Sequence, residues 1–182
     1  AVPDGIYLVH KGRILKLDPS NGKQLAVFPP PAAGDTWGRI RVQDNLLIGT
    51  VHRTLGKRGR VPAELQVLDR QTGKLIWKFQ AAPATRQFLS YGKMISVWPV
   101  RTDVLVDKGE AYFSAGVFPH EGTYVYTLDA NTGKLKWRND TQSEDSGQSN
   151  LAPGGHLMVT RDQIWVPKDF RGYSNMPYGA PT

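Results

Sequence analysis

Residues 128–137 read L-D-A-N-T-G-K-L-K-W, and residues 68–77 read L-D-R-Q-T-G-K-L-I-W. Leu68, Asp69, Thr72, Gly73, Lys74, Leu75 and Trp77 match Leu128, Asp129, Thr132, Gly133, Lys134, Leu135 and Trp137 position for position. Residues 17–26, L-D-P-S-N-G-K-Q-L-A, form a degenerate third copy with Asp18 and Gly22 in place but Ala26 where the Trp would fall. A repeated segment of this kind is the first thing to establish, because it dictates the architecture. Its meaning is mechanical. An apolar run precedes each Asp, another strand-like run follows each Gly, and between them lies hairpin chemistry. The Asp carboxylate accepts hydrogen bonds from turn N–H groups, and the Gly supplies the positive φ of a G1 bulge.

Working outward, short apolar or alternating runs bounded by turn residues recur. Gly5 to Val9 and Arg13 to Leu17 flank His10-Lys11-Gly12; Arg39 to Val42 and Leu46 to Thr50 flank Gln43-Asp44-Asn45. Val104 to Val106 and Ala111 to Ser114 flank Asp107 to Glu110; His156 to Thr160 and Ile164 to Val166 flank Arg161-Asp162-Gln163. No segment sustains a 3.6-residue period, so no helix is expected. The unit is strand, turn, strand, longer connection, strand, Asp-x-x-x-Gly turn, strand: a four-stranded antiparallel propeller blade. The motif Asp residues lie 51 and 60 positions apart, longer than the about 40–50 residues of common propeller repeats. The excess is assigned to insertions at 52–63 and 115–122, with 80–96 as a long connection between units.

The fold class expected is therefore all-β, about three and a half blades, over 1–34, 35–90, 91–142 and an incomplete 143–182. The stretch from Gly172 to Thr182 reads as Tyr/Pro/Gly-rich loop. An open arc leaves sheet edges and an apolar face uncovered, so further blades or another chain are expected to complete a ring.

The run from Thr127 to Trp137 resembles the hallmark of the pyrroloquinoline-quinone-like (PQQ-like) propeller repeat. The wider stretch, Trp98 to Thr102, Ala111 to Gly116 and Phe118 to Gly122, resembles large cell-envelope proteins of planctomycete-type bacteria. The resemblance implies a ring of seven or eight blades and a periplasmic or extracellular envelope location. It also implies that Trp77 and Trp137 dock against the neighbouring blade, while the first copy docks through Val27 or Phe28. The quinone-dependent dehydrogenases of this family require an acidic base, calcium ligands, a stacking Trp and an adjacent disulfide. The chain has no Cys, and Asp18, Asp69 and Asp129 read as turn residues rather than a cluster, so no catalytic residue, metal ligand or cofactor is assigned to it.

The net charge of +7 favours anionic partners in general. Arg53, Lys57, Arg58 and Arg60 read as one basic loop, a candidate anion contact; the plainer reading is a solvated insertion. His10, His52, His120 and His156 show no metal-ligand spacing and read mainly as turn residues. Arg101, after Trp98, reads as an arginine paired with a carboxylate or facing the channel. No apolar run reaches the roughly 20 residues of a membrane-spanning helix, and nucleic-acid binding is not expected. The reading is a non-catalytic scaffold that binds a protein partner in the bacterial cell envelope. The alternatives are part of a quinoprotein oxidoreductase, or a module for an anionic polymer or carbohydrate.

Overall fold

A computed structural model describes residues 2–55, 59–90, 93–116, 122–140, 155–160, 163–166 and 177–179, with the backbone alone at 53–55, 59–63, 90, 93 and 177–179. Every regular element among them is a β-strand. No helix of the described residues is long and apolar enough to cross a membrane.

The first sheet is the meander β1 (Ile6–His10), β2 (Arg13–Leu17), β3 (Gln24–Phe28). The second is built on β4 (Thr36–Gln43), β5 (Leu46–Leu55), β6 (Gly59–Asp69) and β7 (Leu75–Gln80). Between the second and third units, β8 (Gln87–Ser90) and β9 (Lys93–Ser96) form a hairpin. The third sheet is then β10 (Leu105–Asp107), β11 (Glu110–Ala115), β12 (Tyr124–Asp129), β13 (Leu135–Asn139), and the fourth is β14 (Met158–Thr160), β15 (Gln163–Trp165), β16 (Pro177–Gly179). The all-β architecture of antiparallel blades is thus present, as a partial propeller.

The motif hairpins share one geometry. Each ladder slips by one residue just before its Asp, at Lys16/Leu17, Val67/Leu68 and Thr127/Leu128. Gly22, Gly73 and Gly133 follow with φ of 72°, 71° and 72°. Such a bulge needs a left-handed residue, and glycine adopts it without a Cβ penalty.

Two expectations are corrected. The described residues of 52–63 do not loop out. The β5–β6 ladder continues through Arg53↔Val61, Thr54↔Arg60 and Leu55↔Gly59, because Arg, Thr and Val there can extend a pleated ladder as well as form a loop. Within the 80–96 connection, β9 adds parallel to the far end of β6, Gly59↔Met94 and Arg60↔Ile95, where β7, which pairs β6 only at Glu64 to Leu68, no longer covers it. The tail contributes β16, paired to β15 through Ile164↔Tyr178, despite its Pro and Gly content. The 115–122 insertion lies largely outside the described residues, as does the Ser143 to Asn150 linker.

The core lies between sheets. Ile14, Phe28, Leu47, Val51 and Leu68 fill the seam between the first and second. Ile48, Leu65, Val67, Trp77, Phe113, Tyr126 and Leu128 fill the second seam. Tyr112, Val125, Leu157, Ile164 and Val166 fill the third. A satellite cluster of Ala82, Val97 and Trp98 packs against Phe88 of β8 and Tyr124 of β12.

Candidate interaction surface

Each motif Asp is a turn organiser. The Asp69 carboxylate accepts from the Thr72 amide at 2.7 Å, the Thr72 hydroxyl at 2.8 Å and the Gln71 amide at 3.1 Å. Asp129 repeats this with Thr132 at 2.9 Å for both contacts and the Asn131 amide at 3.1 Å. Asp18 uses the Ser20 amide and hydroxyl, at 2.8 and 2.6 Å. The contacts favour the ionised form. All three carboxyls are held below their ordinary pKa: Asp69 chiefly by the Thr72 amide, Asp129 by the Thr132 hydroxyl, Asp18 by the Ser20 hydroxyl.

Trp77, on the outer strand of the second sheet, is buried against the third. Its Nε1 donates to the Ala130 carbonyl at 3.0 Å. A Cβ on Gly133 would lie 2.6 Å from the indole, so the turn glycine is also the floor on which the ring lies. Around it Phe79 meets Tyr126 edge-on at 5.3 Å and Phe113 at 6.0 Å, and the Tyr126 hydroxyl donates to Ala81 O at 2.7 Å. In the first seam Phe28 takes the approach to the turn glycine: a Cβ on Gly73 would stand 3.1 Å from its ring. Trp137 is half-buried against the third seam's cluster. Gly22 has nothing within 4 Å of a built Cβ among the described residues.

The basic run is divided. Lys57 and Arg58 lie outside the described residues. Arg53 and Arg60 stand on β5 and β6, on neighbouring rungs of one ladder, not in a loop. His10 closes the first hairpin opposite Arg13, His52 lies within β5 opposite Thr36, and His120 is outside the described residues.

The sequence reading missed a charged junction. Asp103 pairs with Arg39 at 2.7 Å and with His156 Nδ1, joining the second, third and fourth units. The adjoining backbone is tied by the Thr102↔Gly155 bridge, and Asp103 N donates to Gly155 O at 3.1 Å. The first and second sheets are joined likewise by Asp4, held by Lys16 at 2.8 Å and Arg70 at 2.5 Å. No spacing in the chain signals these pairs, because each partner comes from a different unit.

Among the described residues no group of three or more His, Asp or Glu could hold a metal ion. The motif carboxylates are spent on their own turns. Two motif positions expose apolar side chains. Leu75 and Leu135, at one motif position, are 51% and 44% exposed, and Leu25 and Ile76, at the next, are 51% and 44% exposed.

The repeated bulged hairpins, the indole laid on the next turn and the seam-by-seam core define a partial β-propeller of PQQ-like repeats. The chain belongs to the family described as outer membrane protein assembly factor BamB, whose model matches residues 61–169. It is 29% identical over 179 residues to the dehydrogenase subunit of a quinone alcohol dehydrogenase of Acetobacter aceti, covering 92% of this chain and 22% of that one. The corresponding subunit of Gluconacetobacter polyoxogenes is 28% identical over 177 residues, 91% of this chain and 22% of the relative. The chain thus spans about a fifth of the length of these curated relatives. Among solved structures, a quinohemoprotein alcohol dehydrogenase from Pseudomonas putida HK5 matches with TM-score 0.65 at 14% identity, over 92% of this chain and 27% of that one. The Dos1 propeller matches with TM-score 0.56 at 15% identity, over 92% and 42%. At these identities the structural likeness concerns the fold alone.

Proposed function

We propose that this chain is the protein-binding part of a non-catalytic propeller in the bacterial cell envelope, where it holds a partner protein as a scaffold. The observation that carries this is the row of exposed apolar residues on the outer strands, at matching places in successive blades: Leu25 and Ile76, Leu75 and Leu135. Scattered exposed leucines need no explanation, but apolar side chains repeated in register form a surface that another protein can cover. β3, β7 and β13 are also edge strands of their blades, and a free strand edge offers backbone hydrogen bonds to an incoming segment. Membership of a family named for outer-membrane protein assembly supports the reading.

The test is photo-crosslinking in cells from Ile76 and Leu135 of the intact protein, with Lys23 as control. Capture of one defined envelope protein from both apolar positions, weakened by Leu135→Asp, is the expected outcome. Equal labelling from all three positions would sink the reading.

A second reading has its own support in the 29% identity to a quinone alcohol dehydrogenase subunit. In that case the remaining blades supply the site and this chain supplies only wall. Alcohol-dependent dye reduction by the full-length protein with added quinone and calcium decides it; the scaffold reading expects none. The anionic-polymer reading has no support beyond net charge.

A further inference from the structure

We infer that the free edge of β1 is a strand-acceptor site, filled by an extended segment of the full-length polypeptide that runs antiparallel to β1 and enters through the turn at Val2–Gly5. The site lies on the opposite edge of the blade from the outer strands of the scaffold reading and stands independently of that reading. It emerges when the first blade is set against the second and third. The β2–β3 hairpin carries the bulged Asp turn, as β6–β7 and β12–β13 do. β2 is therefore the counterpart of β6 and β12, and β1 the counterpart of β5 and β11. Nothing among the described residues corresponds to β4 and β10, which pair β5 and β11 on the side away from the motif hairpin.

The turn that delivers such a strand is already formed. In the second and third blades a two-residue turn, Asp44-Asn45 or Lys108-Gly109, joins the first strand to the next through Gln43↔Leu46 and Asp107↔Glu110. In the first blade Pro3-Asp4 takes that place. Val2 N donates to Gly5 O and Gly5 N to Val2 O, both at 3.1 Å, which makes the antiparallel Val2↔Gly5 bridge the closing pair of a hairpin. Proline at the first corner presets the φ that the turn needs, and Asp4 is fixed by Lys16 and Arg70. The turn sets both direction and register, because each step back from Val2 is one step forward from Gly5. The residues two and four before Val2 thus stand opposite Tyr7 and Val9.

The β1 side is prepared to receive them. Gly5 spends its N–H and C=O on Val2, so the alternation of an antiparallel strand turns those of Tyr7 and Val9 to the same side, where no described strand meets them. Beside this edge lies an open groove of about 330 Å³ lined by Val2, Tyr7, Ile40, Arg41 and Val42. Tyr7, Val9, Ile40 and Val42 are only partly buried against the core of the first seam. Opposed residues of an antiparallel pair share a face, so the residues two and four before Val2 lie with Tyr7 and Val9 on the side that packs against β4. Apolar side chains at those two positions extend the seam, while the main chain supplies the hydrogen bonds and removes a free edge.

The test is residue-resolved amide hydrogen exchange on the full-length protein. Leu8 faces β2, opposite Leu15, and serves as the internal standard. The Tyr7 and Val9 amides are expected to exchange within about tenfold of Leu8; faster exchange than that overturns the proposal. Engineered disulfides then check the register and the source of the strand, in a chain with no cysteine of its own. Opposed Cα atoms lie about 4.5–5.5 Å apart, within reach of a disulfide. Tyr7→Cys with a cysteine placed two before Val2 is expected to close within one polypeptide, and Tyr7→Cys with a cysteine placed three before Val2 is not. Equal closure of the two pairs, or a bond between two polypeptides, overturns the proposal. Should Tyr7→Cys fail to fold, exchange in the unaltered protein decides the matter.

Discussion

Gly22 and Gly133 have the same φ of 72° and different surroundings, so they separate two roles of one motif residue. Alanine at Gly22 meets no atom and is expected to cost about 1–2 kcal/mol, the left-handed penalty. Alanine at Gly133 adds contact with the Trp77 indole and is expected to cost about 1–3 kcal/mol more. Denaturant unfolding of the two variants checks this, and in a Trp77→Ala background the excess at Gly133 should vanish. The motif carboxylates carry a pH signature. Their folded pKa values lie below the ordinary one. Their stabilisation is thus present above the unfolded pKa and lost as pH falls through the folded values. Asp69→Asn with Asp129→Asn should flatten the fall in stability below about pH 4, with little change in slope near neutrality. The Asp-x-x-x-Gly turn was legible from residues alone because the bonds that shape its backbone, from the Asp carboxylate to the N–H groups two and three residues on, are local.

At the scale of elements, Trp77 ties the second sheet to the third by burial and by its bond to Ala130. Trp77→Ala is expected to destabilise by about 3–5 kcal/mol, the range for a large aromatic removed from a core. Phe28→Ala in the first seam should fall at the lower end of that range, because a groove adjoining it is already open. Equilibrium unfolding of both gives the comparison. The strand cores were legible from their alternation, but the lengths of β5 and β6 were not. Arg53 to Arg60 reads equally as a basic loop, and only the rungs Arg53↔Val61 to Leu55↔Gly59 make it a ladder. The β8–β9 hairpin was missed for a related reason: β9 is placed by a parallel partner some thirty-five positions earlier in the chain, which no local pattern reports.

For the whole molecule, stability resides in the seams between sheets, since each sheet buries its residues only against a neighbour. The junction at Asp103 links three units. Asp103→Asn leaves the sheets themselves intact, so its effect should appear as earlier hydrogen exchange around Thr102 and Gly155 rather than as loss of the fold. By itself the sequence determined the repeat, the bulged hairpins, the all-β class and the absence of a thiol, because those rest on local turn chemistry and strand period. The tertiary structure alone decided that Phe28 rather than Val27 meets the next turn and that Asp103 gathers Arg39 and His156. Each of these depends on which residues of different repeats face one another across a seam, and that register is set by packing between sheets, which no stretch of chain encodes alone.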